Sequence, residues 1–286
     1  MTAWSDGYWW SKDALRLHYR DYPGREDRPP IICLPGLTRN ARDFAELADR
    51  LSGEWRVICP ELRGRGESAY SKDPMTYVPL FYLQDLEALI AELKLGTIIL
   101  FGTSLGGILT MLMASAGHAK VAAALLNDVG PVIEQRGLDR IRSYVGKQVN
   151  WPTWLHAARA ISEQQRDVYP GYKLADWLGM AKRLCKLTPA GRIVYDYDMR
   201  IAEPFRLPGG EAGVDLWPAF NSLRKMPVAL VRGARSDILS HEAATEMVSR
   251  HPELDYVVVP NVGHAPTLIE PECGAAIDRL LAKVSG

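Results

Sequence analysis

The stretch Thr97-Ile-Ile-Leu-Phe-Gly-Thr-Ser-Leu-Gly-Gly107 decides the fold of this chain. Its first five residues form an apolar run, which is typical of a β-strand buried on both faces. A G-x-S-x-G pattern follows at Gly102 to Gly106, and the apolar residues 105–116 predict a helix. A serine held on a strained turn needs small residues two positions before and after it, so that strand and helix can approach each other. The Ser104 hydroxyl is therefore expected at the carboxyl end of a strand, where open α/β sheets bind ligands.

A membrane span is the alternative for this region. Residues 95–119 contain no Asp, Glu, Lys or Arg, and the segment is long enough for a transmembrane helix. However, three glycines and two hydroxyl side chains at residues 102–107 would place a turn at the centre of the bilayer. A buried strand, a sharp turn and a buried helix explain the segment better.

Short apolar runs alternate with amphipathic segments on both sides of this stretch. The alternation predicts an α/β fold with a mostly parallel, doubly wound sheet. The predicted strands are residues 15–20, which read as a hairpin strand, and residues 30–34, 56–59, 97–101, 121–126, 228–231 and 256–259. The predicted helices around them are residues 41–51, 80–93, 105–116, 243–250 and 275–284.

The alternation stops near Gly130 and resumes at Met226. Between them the sequence predicts helices at residues 138–146, 154–164, 174–187 and 192–199. We therefore expect a core domain of residues 1–130 and 218–286, interrupted by a helical cap of residues 131–217. The cap holds ten of the aromatic residues, of which Tyr144, Trp151, Trp154 and Trp177 are candidates for binding substrate. The alternative is that most of the ten rings, which also include Tyr169, Tyr172, Tyr195, Tyr197, Phe205 and Trp217, form the cap's own core.

A serine hydroxyl is a weak nucleophile unless a base accepts its proton, so a histidine is required at the same sheet edge. His264 lies in a glycine-containing loop, Pro260-Asn-Val-Gly-His264, directly after the last predicted strand. This loop can bring an imidazole to the edge at which Ser104 is expected. Surface or core positions are favoured for the other five histidines, which are His18, His118, His156, His241 and His251.

A carboxylate must orient the imidazole and stabilise its charged form. Asp237, in Arg232-Gly-Ala-Arg-Ser-Asp237, follows the strand predicted at residues 228–231 and is favoured, since it gives the chain order serine, aspartate, histidine. Asp128 follows the strand predicted at residues 121–126 and is the rival. Its other role would be to cap the start of the cap domain.

The oxyanion that develops on an attacked carbonyl needs two backbone N–H donors. One is expected from Leu105, because it opens a helix whose dipole favours negative charge. The other is expected from Leu37, in the loop Leu34-Pro-Gly-Leu37-Thr-Arg that follows the strand at residues 30–34.

These motifs, in this order, resemble the α/β-hydrolase superfamily over nearly the whole chain. Glu61 departs from the pattern, because the family usually has an aspartate two residues before Arg63; we expect this to affect loop packing and not the triad. The most similar subgroups are capped microbial esterases, enol-lactonases and cofactor-free haloperoxidases. The resemblance rests on Pro35-Gly36-Leu37 as the oxyanion loop, Arg63-Gly-Arg-Gly-Glu-Ser68 as the R-G-x-G-x-S segment, Gly102 to Gly106 as the nucleophile turn and Gly263-His264 as the histidine loop.

The resemblance implies a serine hydrolase that cleaves a carboxylic ester or lactone of a small, apolar or aromatic substrate through an acyl-enzyme on Ser104. It implies no cofactor and no metal. Haloalkane dehalogenases and epoxide hydrolases are disfavoured, because they have aspartate where Ser104 stands. A carbon–carbon bond hydrolase, which typically has tryptophan where Ala265 stands, and a cofactor-free haloperoxidase are alternatives on the same triad. A ligand-binding, receptor-like protein with a vestigial triad is an alternative from another class.

Charge and composition limit the classes of molecule that the protein is expected to bind. Lys and Arg number 34, Asp and Glu also number 34, and the formal net charge is zero, which disfavours nucleic acid and anionic membranes. The cap has 13 basic against 10 acidic residues, too small a surplus to indicate an acidic substrate. The first ten residues lack the basic start and apolar run of a secretory signal, so a cytoplasmic location is expected. The four cysteines lie far apart and predict neither a disulfide framework nor a zinc site.

Overall fold

The strands and helices come from a computed structural model that describes residues 4–204 and 215–284. The strands are β1 (Ser5–Trp10), β2 (Arg16–Tyr22), β3 (Ile31–Leu34), β4 (Val57–Pro60), β5 (Thr97–Thr103), β6 (Lys120–Asn127), β7 (Cys185–Leu187), β8 (Ile193–Tyr195), β9 (Val228–Gly233) and β10 (Asp255–Val259). The α-helices are α1 (Ala45–Leu51), α2 (Pro79–Glu92), α3 (Leu105–Ala116), α4 (Gln135–Tyr144), α5 (Trp154–Gln165), α6 (Leu174–Leu184), α7 (Trp217–Asn221), α8 (His241–Arg250) and α9 (Pro271–Ala282).

Eight of these strands form one sheet in the order β1-β2-β4-β3-β5-β6-β9-β10. The pairs β1/β2 and β2/β4 are antiparallel, and all later pairs are parallel. The predicted α/β fold with a mostly parallel sheet is confirmed. The sequence did not predict β1. Trp9 is its only buried side chain, so apolar and polar residues do not alternate along the strand.

Alternate side chains of β3 and β5 enter two separate hydrophobic cores. Ile31, Phe101 and their neighbours pack with α1 and α9 on one face, whereas Ile32, Leu100 and their neighbours pack with α2 and α3 on the other. Because both faces are covered, the strands read as continuous apolar runs. The parallel register also places Thr103 of β5 opposite Asn127 of β6, and Asn127 opposite Val231 of β9. Three strands therefore end side by side at one edge.

The uncharged stretch at residues 95–119 divides into β5 and α3, as the sequence predicts. Ser104 lies between them. Within residues 4–204 and 215–284, none of the helices has the length and apolar character needed to cross a bilayer.

The segment between β6 and β9 contains helices α4, α5 and α6 and a small antiparallel sheet of β7 and β8. The helix predicted at residues 174–187 ends at Leu184. The helix predicted at residues 192–199 is wrong: β8 pairs with β7, and a single 3₁₀ turn follows at Met199–Ala202. Thr188-Pro-Ala-Gly191 forms the hairpin turn, and Gly191 has a φ of +71° that favours glycine. Phe205 lies outside the described residues.

Candidate active site

The Ser104 turn is built by the glycines around it. Ser104 has φ +53° and ψ −117°, a strained conformation for a residue with a side chain. A Cβ atom at Gly102 would lie 2.3 Å from the carbonyl oxygen of Gly106, and one at Gly106 would lie 2.0 Å from the carbonyl oxygen of Leu34. Both distances are far below van der Waals contact. The close approach of strand and helix therefore requires glycine at both positions, as the sequence predicts.

His264 reaches Ser104 from the loop after β10. Its Nε2 lies 2.8 Å from Ser104 Oγ, and its Nδ1 lies 2.7 Å from Asp128 Oδ2. The histidine side chain is largely buried and the aspartate side chain is fully buried. With the Nδ1 proton donated to Asp128, Nε2 is free to accept the serine proton. The three side chains thus form one hydrogen-bonded chain that can activate the hydroxyl.

Asp128 is held in place by donors from a neighbouring strand end. The Gly233 N–H donates to Oδ1 at 2.8 Å, and the Ser236 hydroxyl donates to Oδ2 at 2.7 Å. The buried carboxylate therefore has three partners, which is what a buried charge requires. Ser236 was not predicted from the sequence, since a serine in a turn has no distinguishing pattern.

Asp237 makes no hydrogen bond with His264; its hydrogen-bond partner is an arginine. Its Oδ1 accepts a hydrogen bond of 2.8 Å from Nη2 of Arg140, which projects from α4. Burial acts to raise the pKa of Asp237, but the hydrogen bond and charge of Arg140 lower it below its usual value. The preference for Asp237 over Asp128 as the partner of His264 is wrong. Both residues follow strands that end at the same edge, so strand order cannot separate them.

The two expected oxyanion donors lie near Ser104. Leu105 is the first residue of α3, and Leu37 lines the same cavity as Ser104 and His264. In the described part of the chain, neither backbone N–H donates a hydrogen bond, so both are available to a ligand. The Leu37 carbonyl accepts a 2.8 Å hydrogen bond from Nε of Arg65, which helps to hold the loop in place. Arg65 belongs to the R-G-x-G-x-S segment, and its role was not predicted.

Glu61, the departure from the family pattern, holds that segment together. Its Oε2 accepts the Glu67 N–H at 2.6 Å and lies 2.9 Å from Nδ1 of His18. Its Oε1 accepts the Ala41 N–H at 3.2 Å. Glu61 therefore acts in loop packing, well removed from Ser104 and His264 in the hydrogen-bond network, as expected.

A cavity of about 110 Å³ opens beside Ser104 and His264. Of the four aromatic residues proposed to bind substrate, only Tyr144 lines it. Trp177 is buried in a core formed within the segment between β6 and β9, and Trp151 and Trp154 pack against that core. Those three rings follow the alternative, in which aromatic residues stabilise the segment itself. The aromatic lining comes from Phe44, Tyr144, Tyr169, Tyr195 and Tyr197.

Charged side chains also line the cavity, which sequence reasoning missed. Arg39 follows Leu37 by two residues, Arg183 lies near the end of α6, and Asp43 lies between them. The position of Arg39 in the oxyanion loop was the only available signal for any of the three.

Potential metal-ligating side chains are scattered within the described ranges, 4–204 and 215–284. No group of three or more His, Cys, Asp or Glu side chains within them could hold an ion. Cys33, Cys59, Cys185 and Cys273 are buried free thiols. Burial raises the pKa of Cys185 to about 12, so this thiol stays protonated.

Comparison with models of known protein families shows the family of this chain. Residues 31–274 match the model described as the alpha/beta hydrolase family. This chain belongs to the alpha/beta hydrolase family. The matched region includes the glycine-flanked Ser104 turn, both aspartates and His264.

Several relatives of this α/β hydrolase are similar over most of their length. It is 35% identical over 265 residues to a 3-hydroxybutyrate-oligomer hydrolase of Cupriavidus necator, covering 90% of this chain and 89% of the relative. It is 28% identical over 249 residues to a 2-(acetamidomethylene)succinate hydrolase of Mesorhizobium japonicum, covering 85% and 84%. A crystal structure of an alpha/beta hydrolase from Novosphingobium aromaticivorans shares 56% identity and superposes with a TM-score of 0.95, over 99% of this chain and all of that one. The family and these names establish a hydrolase.

Proposed function

We propose that this hydrolase cleaves a carboxylic ester through an acyl-enzyme formed on Ser104. The observation that carries the proposal is the hydrogen-bonded chain from Ser104 through His264 to Asp128, which opens onto a cavity. Two unpaired N–H groups beside the nucleophile complete the set of groups that acyl transfer requires.

In the proposed reaction, Ser104 Oγ attacks the ester carbonyl carbon while its proton passes to Nε2 of His264. Asp128 stabilises the imidazolium, and the N–H groups of Leu37 and Leu105 bind the oxyanion. Collapse of the tetrahedral intermediate breaks the bond to the alcohol oxygen, which takes the proton from His264. Water then attacks the acyl-enzyme by the same route and releases the acid and free Ser104.

We propose that residues 131–217 act as the cap of this site. Tyr144, Ile161 and Leu184 come from this segment and line the cavity together with Ser104 and His264 from the sheet edge. A cap of this kind would exclude water and select the substrate by shape. The apolar and aromatic lining supports a small substrate with an apolar part.

The names of two relatives agree with hydrolysis at this kind of site. One is named for an oligomer of 3-hydroxybutyrate, and units of a hydroxy acid are joined by ester bonds. The other is named for a substituted succinate. Ester cleavage is the chemistry that the first name and the site geometry have in common.

Replacement of the nucleophile tests the proposal. Ser104→Ala should lower kcat/KM for 4-nitrophenyl acetate by about 10³-fold or more while the circular dichroism spectrum is unchanged. A fluorophosphonate probe should label the wild-type protein with one equivalent and leave Ser104→Ala unlabelled. Ser249→Ala removes an exposed hydroxyl on α8 and should behave as wild type. Ester turnover that survives in Ser104→Ala, or labelling elsewhere, would overturn the proposal.

A further inference from the structure

The cavity beside Ser104 contains more positive than negative charge. Two arginines, Arg39 and Arg183, line it together with a single carboxylate, that of Asp43. A cavity in a purely apolar or neutral ester hydrolase has no need of a surplus guanidinium, since burying an unpaired charge is costly. The surplus points to a ligand that carries negative charge.

The carboxylate of Asp43 is already hydrogen-bonded by Arg39. Nη2 of Arg39 donates to Asp43 Oδ1 at 2.9 Å, and Nε of Arg39 donates to Oδ2, so the two planar groups form a bidentate pair. Burial of Arg39 acts to lower its pKa, but the charge and hydrogen bonds of Asp43 raise it above its usual value. The charges of Arg39 and Asp43 thus neutralise each other. The guanidinium of Arg183 is the remaining charge among these three lining residues.

Arg183 has only distant partners. Its Nε lies 3.9 Å from Asp43 Oδ1, and its Nη1 lies 3.7 Å from Oε1 of Glu46. Both distances exceed that of a hydrogen bond, and the Glu46 side chain is 65% exposed, so solvent screens that pair. Among the residues that the structure describes, no acceptor makes a hydrogen bond to the guanidinium of Arg183. Its side chain is nevertheless only 21% exposed.

The backbone of Arg183 is fixed by the core domain. Its carbonyl oxygen accepts hydrogen bonds of 3.1 Å from Nδ2 of Asn40 and 3.0 Å from Nε of Arg42. Both donors belong to the segment that follows the oxyanion loop. The main chain from which this lining side chain extends is therefore anchored, which lowers the entropy lost when a ligand binds.

We propose that Arg183 binds a free carboxylate group of the substrate, so that this enzyme hydrolyses esters that also carry a carboxylic acid. The inference rests on the ester hydrolysis proposed above and names its substrate class. A guanidinium matches the planar carboxylate with two parallel N–H donors, which a lysine cannot do. Arg39 contributes by occupying Asp43, which would otherwise compete for Arg183.

A pair of matched esters tests the inference in the acyl half of the substrate. 4-Nitrophenyl hydrogen glutarate carries a free carboxylate, and its methyl ester is the same molecule with that charge capped. A second pair, 3-acetoxybutyric acid and its methyl ester, places the carboxylate in the alcohol half. The measured quantity is the ratio of kcat/KM for the acid to kcat/KM for the capped form at pH 7, with 4-nitrophenol release followed in the first pair and acetate release in the second.

In the wild-type enzyme we expect a ratio of about 10 or more for at least one pair, and Arg183→Gln should lower that ratio by about 10-fold to 100-fold. Arg159→Gln is the matched control, because Arg159 is exposed on α5 and does not line the cavity; its ratio should equal that of the wild type. If Arg183 served only to hold α6 to the core, its loss would lower both rates together and leave the ratio unchanged. Should Arg183→Gln fail to fold, Arg183→Lys keeps the charge without the fork and should lower the ratio by about threefold to tenfold.

Failure of this inference is distinguishable from failure of the proposed function. Ester turnover that depends on Ser104 but shows a wild-type ratio of one or below for both pairs would overturn the carboxylate site alone, as would an unchanged ratio in Arg183→Gln. Turnover that persists in Ser104→Ala would overturn the proposed function. Inhibition by glutarate provides a measurement that needs no variant: glutarate should compete with 4-nitrophenyl acetate at least about tenfold more strongly than dimethyl glutarate does.

Discussion

Asp128 and Asp237 stand at the ends of adjacent strands, yet their surroundings give them different roles. Asp128 is fully buried and accepts hydrogen bonds from His264, Gly233 and Ser236. Asp237 is partly exposed and pairs with Arg140 of α4. One carboxylate therefore lies against the imidazole, and the other links the sheet edge to α4. Position at a strand end brings an acid to the site, but the donors around it decide what the acid does.

Substitution of the two acids by asparagine should separate these roles most strongly. Asp128→Asn keeps one acceptor oxygen, and with that oxygen on the Gly233 N–H the amide NH2 faces Nδ1 of His264. A donor at this place disfavours the tautomer that leaves Nε2 free to accept the Ser104 proton. We expect kcat/KM for a neutral ester to fall by about 10⁴-fold. The measurement is steady-state kinetics with 4-nitrophenyl acetate, after active-site titration with the fluorophosphonate probe.

Asp237→Asn is the matched control, and its kcat/KM should stay within about tenfold of the wild type, because its carboxylate makes no hydrogen bond to the histidine. Equal losses in both variants would break the comparison, and a larger loss in Asp237→Asn would reverse it.

The same contrast explains which parts of the site can be predicted from sequence. The Ser104 turn is predictable because the close approaches at Gly102 and Gly106 are local and exclude any side chain. The choice of acid is not, because β6 and β9 are neighbours and both aspartates reach one edge. The carboxylate that remains free for the histidine depends on Arg140, more than 90 residues away along the chain from Asp237.

The segment between β6 and β9 was predictable only in outline. Its helices α5 and α6 follow the amphipathic pattern, but both a cavity wall and an internal core bury aromatic rings, so the sequence cannot assign Trp177 to one or the other. β8 is three residues long, too short for periodicity to distinguish a strand from a helix. The positive charge of the cavity could not be predicted for a similar reason. An excess of basic over acidic residues across the whole segment does not show which arginine lacks a hydrogen-bond acceptor.

Ser236 offers a smaller test on the Asp128 side. Its hydroxyl donates to the same carboxylate oxygen that lies against His264. Ser236→Ala removes this charge-assisted hydrogen bond together with those that the Ile238 and Leu239 N–H groups donate to the hydroxyl. We expect kcat to fall by about tenfold with little change in KM, because the residue positions the acid and does not line the cavity. Ser236→Thr keeps the hydroxyl and should restore most of the rate. A rise in KM of similar size would instead indicate a distorted cavity.

The smallest effect is expected for the ion pair of Asp237 and Arg140, and it concerns the free energy of unfolding. Because the pKa of Asp237 is lowered on folding, its contribution is fully present above the ordinary aspartate pKa of about 3.9 and is lost as the pH falls through the lowered value. A double-mutant cycle of Asp237→Asn and Arg140→Gln, measured by urea unfolding, should give a coupling of about 1 kcal/mol at pH 7 that declines below about pH 4. Asp278→Asn, which breaks the exposed pair with Arg50, should change stability by less than about 0.5 kcal/mol. A coupling of zero at pH 7 would mean that Arg140 holds Asp237 away from His264 without stabilising the fold.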